Sequence, residues 1–178
     1  MLSPVQRVPE SVGSGRARTA TEVSPVVVGR PAPRPSWDAW ALGIAAAVST
    51  RADCTRRRVG AVILGPDHRV LATGYNGYPP GQPGCLTDGA CPRGRLSYDD
   101  VPASSPYVGV DEPCQALHAE ENAVLHLPGG SRLGATVYVT DEPCPNCQRF
   151  LAGAGIARVV WPDGQIVYQA PERVAPGR

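Results

Sequence analysis

Residues 135–161 read ATVYVTDEPCPNCQRFLAGAGIARVVW, and this stretch decides the fold. Residues 135–140 are a β-branched and aromatic run leading into Asp141-Glu142-Pro143, the composition of a strand that ends in a turn. Pro143 has no amide hydrogen and a fixed φ, which suits the bend into a helix over residues 144–152. Residues 156–161 form a second apolar strand. Strand, helix, strand at this spacing predicts a parallel pair joined by a right-handed crossover.

Working toward the N-terminus, Pro128-Gly129-Gly130 stops a helix expected over residues 117–127. Residues 59–64 read as an apolar strand and 70–75 as its returning partner. Gly65-Pro66-Asp67-His68 supplies the turn between them, with His68 a solvated residue. Ordered structure begins at Ser36, a good helix N-cap, with Asp38 favourably placed in the first turn. Trp37, Trp40, Ala41, Ile44 and Val48 then fall on one helical face, and the two tryptophans read as core. The layout is α/β, a sheet with helices on both faces.

The chain has 178 residues, a formal net charge of +1, and arginine as its only strongly basic residue. Residues 1–35 carry five Arg against two Glu, and the remainder twelve Arg against fourteen Asp and Glu. Residues 36–178 are therefore slightly acidic, a poor footprint for tracking phosphates, and no nucleic-acid partner is expected. Residues 1–35 are rich in Pro, Gly, Ser, Thr and Arg without periodicity, and read as a disordered or extended arm before the domain at 36–178. No apolar run reaches the ~18 residues of a membrane span, and no signal-peptide core is apparent. A cytoplasmic, reducing setting is expected. There six cysteines point to metal sooner than to the alternative of three disulfides in an exported protein.

The chemistry concentrates in His118-Ala119-Glu120 and Pro143-Cys144-Pro145-Asn146-Cys147. One imidazole and two thiolates suit zinc, and three protein ligands leave a fourth position for water, as in catalytic rather than structural sites. Glu120 is the discriminating residue, because a structural zinc knuckle needs no carboxylate two places after its histidine. Both segments fall where strands give way to helices, the end of an open α/β sheet at which ligands gather. A helix N-terminus there favours the thiolate forms of Cys144 and Cys147.

These segments match the H-x-E…P-C-x-x-C signature of the zinc nucleobase deaminases. From Ser36 to about Trp161 the chain resembles the deoxycytidylate (dCMP) deaminases of the cytidine deaminase superfamily. The resemblance is carried by residues 54–62 (CTRRRVGAV), 74–79 (GYNGYP), 118–123 (HAEENA) and 138–147 (YVTDEPCPNC). It implies a three-layer α/β/α sandwich around a mixed, roughly five-stranded sheet. It also implies hydrolytic deamination of dCMP to dUMP and ammonia by zinc-activated water, with Glu120 as proton shuttle. A homo-oligomer, often a hexamer, with dCTP and dTTP as effectors belongs to the same expectation. By analogy Asn76 bonds the sugar hydroxyl and the backbone N–H of Ala119 reads the pyrimidine O2. Free-nucleoside cytidine deaminases carry Cys where His118 stands, and the tRNA adenosine deaminases favour Met inside the Cys pair. The short stretch after Trp161 leaves room for a strand near residues 166–169. Arg56, Arg57 and Arg58 are candidates for the phosphate, against the alternative of a solvated strand entry. Two other readings stand beside this one: a deaminase of another cytosine compound in a specialised pathway, and a non-catalytic zinc-ordered nucleotide-binding regulator. The intact Glu120 argues against the second.

Residues 76–116 have little periodicity, and a long loop inside a compact domain needs something to hold it. Cys54, Cys85, Cys91 and Cys114 lie before, within and at the end of it, and four thiolates can close a structural zinc site. The resemblance supports Cys54 and Cys85, whose positions serve a second zinc in some dCMP deaminases. Cys91 and Cys114 are inferred from the loop itself. Free or merely buried thiols are the alternative.

Overall fold

In the computed structural model the described residues are 33–89, 91, 93–97, 99–102, 105, 114–129 and 132–168. Most of the arm expected over residues 1–35 therefore lies outside them, as does Gln169 of the expected last strand. Five strands form one sheet in the order β2-β1-β3-β4-β5. They are β1 (Gly60–Leu64), β2 (Val70–Tyr75), β3 (Thr136–Val139), β4 (Arg158–Trp161) and β5 (Gly164–Val167). β3 and β4 run parallel and every other pairing is antiparallel, so the sheet is mixed. Between β3 and β4 lies the helix α3 (Pro145–Gly153), which completes the crossover expected from residues 135–161.

Strand alternation sorts the core into two layers. Ala61, Ile63, Val137, Val139 and Val159 face α3 and the helix α2 (Ala119–Leu125). Val62, Leu64, Tyr138 and Val160 face α1 (Trp37–Ser49). All five residues of β1 are buried, as a central strand covered on both faces requires, whereas the edge strand β2 alternates.

Two glycines set how closely the helices sit on the sheet. A Cβ on Gly60 would lie 2.2 Å from the Ala45 carbonyl oxygen, and one on Gly74 would lie 2.3 Å from the Ala119 carbonyl oxygen. The α1 backbone thus rests on β1 and the α2 backbone on β2, on opposite faces. This contact corrects the helical face expected for α1. Only small side chains fit so near a strand, so Ala41 and Ala45 are the buried residues of α1, while Trp37 and Trp40 are 45% and 38% exposed. Trp37 instead stacks on His68, their rings 4.4 Å apart, and meets Trp40 edge-on. His68 is exposed as expected, with φ of 62° in its turn.

The start of α2 also differs from its expected position. Leu117 pairs with Gly77 through two backbone hydrogen bonds of 2.9 and 3.2 Å, and His118 keeps an extended φ of −72° and ψ of 157°. The helix begins only at Ala119 because strand-like pairing holds the two residues before it.

The layers are pinned by a polar cluster. Asp38, at the start of α1, accepts two hydrogen bonds from the Arg158 guanidinium (2.7 and 2.9 Å) and one from the Tyr138 hydroxyl (2.9 Å). Arg158 holds the Asp38 carboxyl below the usual carboxylate range, and burial followed by Asp38 pushes the Tyr138 phenol up to about 12. The Asp38 side chain is 38% exposed, so solvent screening limits the ion pair to about 1 kcal/mol.

Because the folded pKa of Asp38 is depressed, its stabilisation is complete above the unfolded carboxyl value near 3.9 and fades as pH falls through the lower folded value. Asp38→Asn is therefore expected to lower stability by about 1 kcal/mol at pH 7, with the deficit shrinking below about pH 4, as urea titrations across pH would read. Gly74→Ala is expected to cost about 2–3 kcal/mol by forcing α2 off the sheet. Gly43→Ala, in α1 with nothing within 4 Å of its new methyl, should gain about 0.5–1 kcal/mol in the same assay.

Candidate active site

The first turns of two helices meet at the open end of the sheet. His118 is the N-cap of α2 and Cys144 the N-cap of α3, both with extended backbones. Pro145 opens α3, and the Cys147 amide donates to the Cys144 sulfur at 3.5 Å. On α2 the Glu121 carboxylate accepts from the His118 amide at 2.9 Å, which fixes the entry of the chain into the helix. The His118 Nδ1 then lies 3.3 Å from the Cys147 sulfur and 3.6 Å from the Cys144 sulfur. Among the described residues this is the one group of three or more such donors within 4.8 Å of one another.

The donor set fits zinc. Burial, then the Glu120 carboxylate, then Cys144 push the Cys147 thiol up, and Cys147 has no exposed surface. Anion-forming groups crowded in a dry site are compatible only beside a cation or as neutral acids. Two thiols and an imidazole at facing helix N-termini supply the ligand chemistry for the cation. Glu120 is 4% exposed, and burial raises its carboxyl above the ordinary range, with the nearby His118 acting the other way.

Glu120, His118 and Cys144 line a cleft of about 780 Å³, within the range of small-molecule sites, with Cys147 buried behind them. Ala119 lines it at the first position of α2, where the helix supplies no acceptor for the backbone N–H. Asn76 also lines it, but both ends of its amide are engaged. Oδ1 accepts from the Val59 N–H at 2.7 Å, and Nδ2 donates to the Arg57 carbonyl at 2.8 Å. Of the three candidate phosphate arginines, Arg56 and Arg57 line the cleft and Arg58 does not. The Arg56 guanidinium bonds the carbonyls of Arg93, Leu96 and Val101, and Arg57 forms a two-point ion pair with Asp141.

The other four cysteines gather in a second neighbourhood. Cys85 is buried, hydrogen-bonds Cys91, and lies near Cys114 and Cys54; burial and these neighbours push its thiol up to about 12. The Cys54 sulfur accepts from the Arg57 amide at 3.5 Å and the Cys91 sulfur from the Gly94 amide at 3.1 Å. Their spacing is looser than in the His118 group. Asp53 organises the loop beside them, accepting from the amides of Leu86 and Thr87 at 2.9 and 3.1 Å. All six cysteines are free thiols, so the disulfide alternative has no support. No helix among the described residues is long and apolar enough to cross a membrane.

Sequence reasoning missed Arg93, a buried charged residue of the long loop, together with Asp141, Trp161 and Asp163 in the cleft wall. For the last three a signal existed: they end or follow β3 and β4 at the end of the sheet where ligands gather. Arg93 lies in a segment without periodicity, and nothing local marks it.

The model of the cytidine and deoxycytidylate deaminase zinc-binding region matches residues 35–162. The chain belongs to this deaminase family. It is 50% identical over 129 residues to the deoxycytidylate deaminase of Mycobacterium phage D29, covering 72% of this chain and 96% of the phage protein. The deoxycytidylate deaminase of Schizosaccharomyces pombe is 41% identical over 130 residues, 72% of this chain but only 37% of the yeast protein. Among solved structures, the dCMP deaminase of cyanophage S-TIM5 in complex with dCMP and dUMP is 25% identical with a TM-score of 0.52. That match covers 72% of this chain and 82% of the cyanophage chain. Membership of the deaminase family agrees with a zinc ligand set of His118, Cys144 and Cys147.

Proposed function

We propose that the chain hydrolytically deaminates a cytosine nucleotide, converting dCMP to dUMP and ammonia. The observation that carries this reading is Glu120: a buried carboxyl, raised in pKa, beside three zinc donors and open to a cleft. The relative with dCMP and dUMP bound supports the choice of substrate, as does the phage deoxycytidylate deaminase at 50% identity.

His118, Cys144 and Cys147 would hold the zinc. Zinc held by them would supply the Lewis acidity that brings the pKa of a water from ~16 to about 7. Glu120 accepts the proton of the attacking water, delivers it to ring N3, and then carries the second water proton to the departing amine. One C4–O bond forms, the C4–N bond breaks, and ammonia leaves. Burial suits Glu120 to this work, because a buried base exchanges its proton with the substrate and not with bulk water. The Ala119 N–H is a donor for the pyrimidine O2. Asn76 retains one Nδ2 hydrogen beyond that given to Arg57, so its sugar contact would be as a donor to the hydroxyl oxygen.

The same proposal includes a structural zinc held by Cys54, Cys85, Cys91 and Cys114. Support comes from the burial of Cys85 among the other three, and from the amide bonds to the Cys54 and Cys91 sulfurs. It further includes dCTP and dTTP as effectors, a cytoplasmic setting in keeping with six free thiols, and a homo-oligomer. Large apolar side chains left exposed, such as Leu125 and Phe150, favour the last.

Purified protein incubated with dCMP, CMP, deoxycytidine and cytosine is expected to release ammonia fastest from dCMP; release from none of them removes the proposal. Glu120→Ala should keep its metal and lose at least ~10²-fold in kcat. Elemental analysis is expected to give two zinc per chain in the wild type and one in Cys85→Ser. A single zinc in the wild type would leave the second cysteine set as thiols.

A further inference from the structure

We propose that Arg56 is a positioning residue for this reaction. Its guanidinium fixes the described turns within residues 93–101, where Arg93 and the adjoining Pro102 form an outer wall of the cleft, so nucleotide affinity depends on a side chain that need not touch the nucleotide. The inference rests on the cytosine-nucleotide reading for its substrate, and on geometry alone for the wall.

The wall segment has little structure of its own. Among its described residues the one helical element is the single 3₁₀ turn Arg93–Arg95. The Leu96 amide closes that turn on the Arg93 carbonyl at 3.1 Å. A second turn closes on itself: the Val101 amide donates to the Ser97 carbonyl at 3.1 Å, and the Ser97 amide and hydroxyl donate to Asp100 at 3.0 and 2.7 Å. These bonds are all local. They shape the two turns without tying either to the sheet, and a loop of this length loses much conformational freedom when it is held in place.

Arg56 supplies that tie. One terminal nitrogen donates to the carbonyls of Arg93 (3.4 Å) and Leu96 (3.1 Å) in the first turn, and the other donates to the carbonyl of Val101 in the second. The partners lie 37, 40 and 45 residues away in sequence. A planar fork with five donors can span two turns at once, which a lysine ammonium on a flexible stem cannot do in the same geometry. The held segment faces the reaction: Arg56, Arg93 and Pro102 line the same cleft as His118 and Glu120. The next residue, Arg57, reaches Asp141, three residues before Cys144. Neighbouring arginines therefore brace different walls of one cleft.

The test compares wild-type holoenzyme with Arg56→Lys and Arg56→Ala; Arg56→Lys, which keeps charge and stem, decides alone where Arg56→Ala gives no folded protein. Limited trypsin digestion without nucleotide reads the wall directly, because Arg95 is exposed within it. Cleavage after Arg95 is expected to be about tenfold faster in both variants. In steady-state assays with dCMP, KM should rise about tenfold while kcat and zinc content stay within twofold, and lysine should not rescue. Unchanged cleavage at Arg95, full rescue by lysine, or a fall in kcat at unchanged KM would each overturn the positioning role. Weaker dCMP turnover with unchanged cleavage would make Arg56 a direct nucleotide contact instead. If the wild type leaves dCMP untouched, the substrate reading fails, and the digestion still decides the role of Arg56.

Discussion

The amino ends of α2 and α3 point at one spot, and most of the remaining architecture serves to bring them there. The two helices have seven and nine residues, too short to be stable alone, so their placement is set from outside. β3 delivers the chain to Cys144 across a turn that Pro143 stiffens. The Gly77–Leu117 bridge delivers it to His118, and Gly74 lets the α2 backbone rest on β2. Each helix contributes a positive end and first-turn amides without backbone acceptors in the helix, one of which, Cys147, donates to the Cys144 sulfur, and these favour sulfur and carboxyl groups in their charged forms. Burial opposes those forms, as the raised Cys147 and Glu120 pKa values record. A site in which dipoles and desolvation pull against each other responds strongly to a cation, and the ligand set is suited to one.

The strands were legible because their signal is local. Apolar runs and turn residues gave β1 to β4 within about two residues, and the parallel pair followed from strand–helix–strand spacing. The grouping of His118, Cys144 and Cys147 beside Glu120 was legible for a similar reason, since two short motifs carry all four. What sequence periodicity missed was set by contact. It put the tryptophans of α1 in the core because they are apolar at the right spacing, yet the 2.2 Å approach at Gly60 admits only alanines there. It began α2 two residues early because pairing between Leu117 and Gly77 spans the long loop and leaves no local trace. Arg56, Arg57 and Arg93 were visible as charges but not as partners, with bonds reaching 37 to 84 residues along the chain.

Asn76 shows how a motif residue can carry two kinds of constraint at once. Its backbone N–H donates to the Val59 carbonyl and its carbonyl accepts from the Asp53 amide, both at 3.1 Å. Its side chain adds the bonds to Val59 and Arg57. One residue therefore fastens the entry of β1 to the exit of β2, and it does so between Asp53, which organises the cysteine-bearing loop, and Gly77, which pairs with the residue before His118. The asparagine has a structural reason to stand where it does whether or not it also meets a ligand. Loss of function on its replacement would thus not by itself identify a ligand contact.

The same crossing explains why the long loop can sit beside a reactive centre without a strand ladder of its own. Asp53 holds residues 86 and 87, Cys91 accepts from Gly94, Arg56 holds the carbonyls of residues 93, 96 and 101, and Gly77 returns the chain to Leu117. Asp53, Cys54, Arg56 and Arg57 all belong to the ten residues, 50–59, that connect α1 to β1. This connection is fixed at one end by α1, at the other by β1, and between them by the Asn76 bonds to Asp53, Arg57 and Val59, which leaves its side chains little freedom to wander. Long-range bonds from such an anchor hold the loop more firmly than the same bonds from a mobile surface would, because less entropy is lost in ordering the donor. The rigidity of the cleft is thus borrowed from the sheet, through a few side chains next to its central strand.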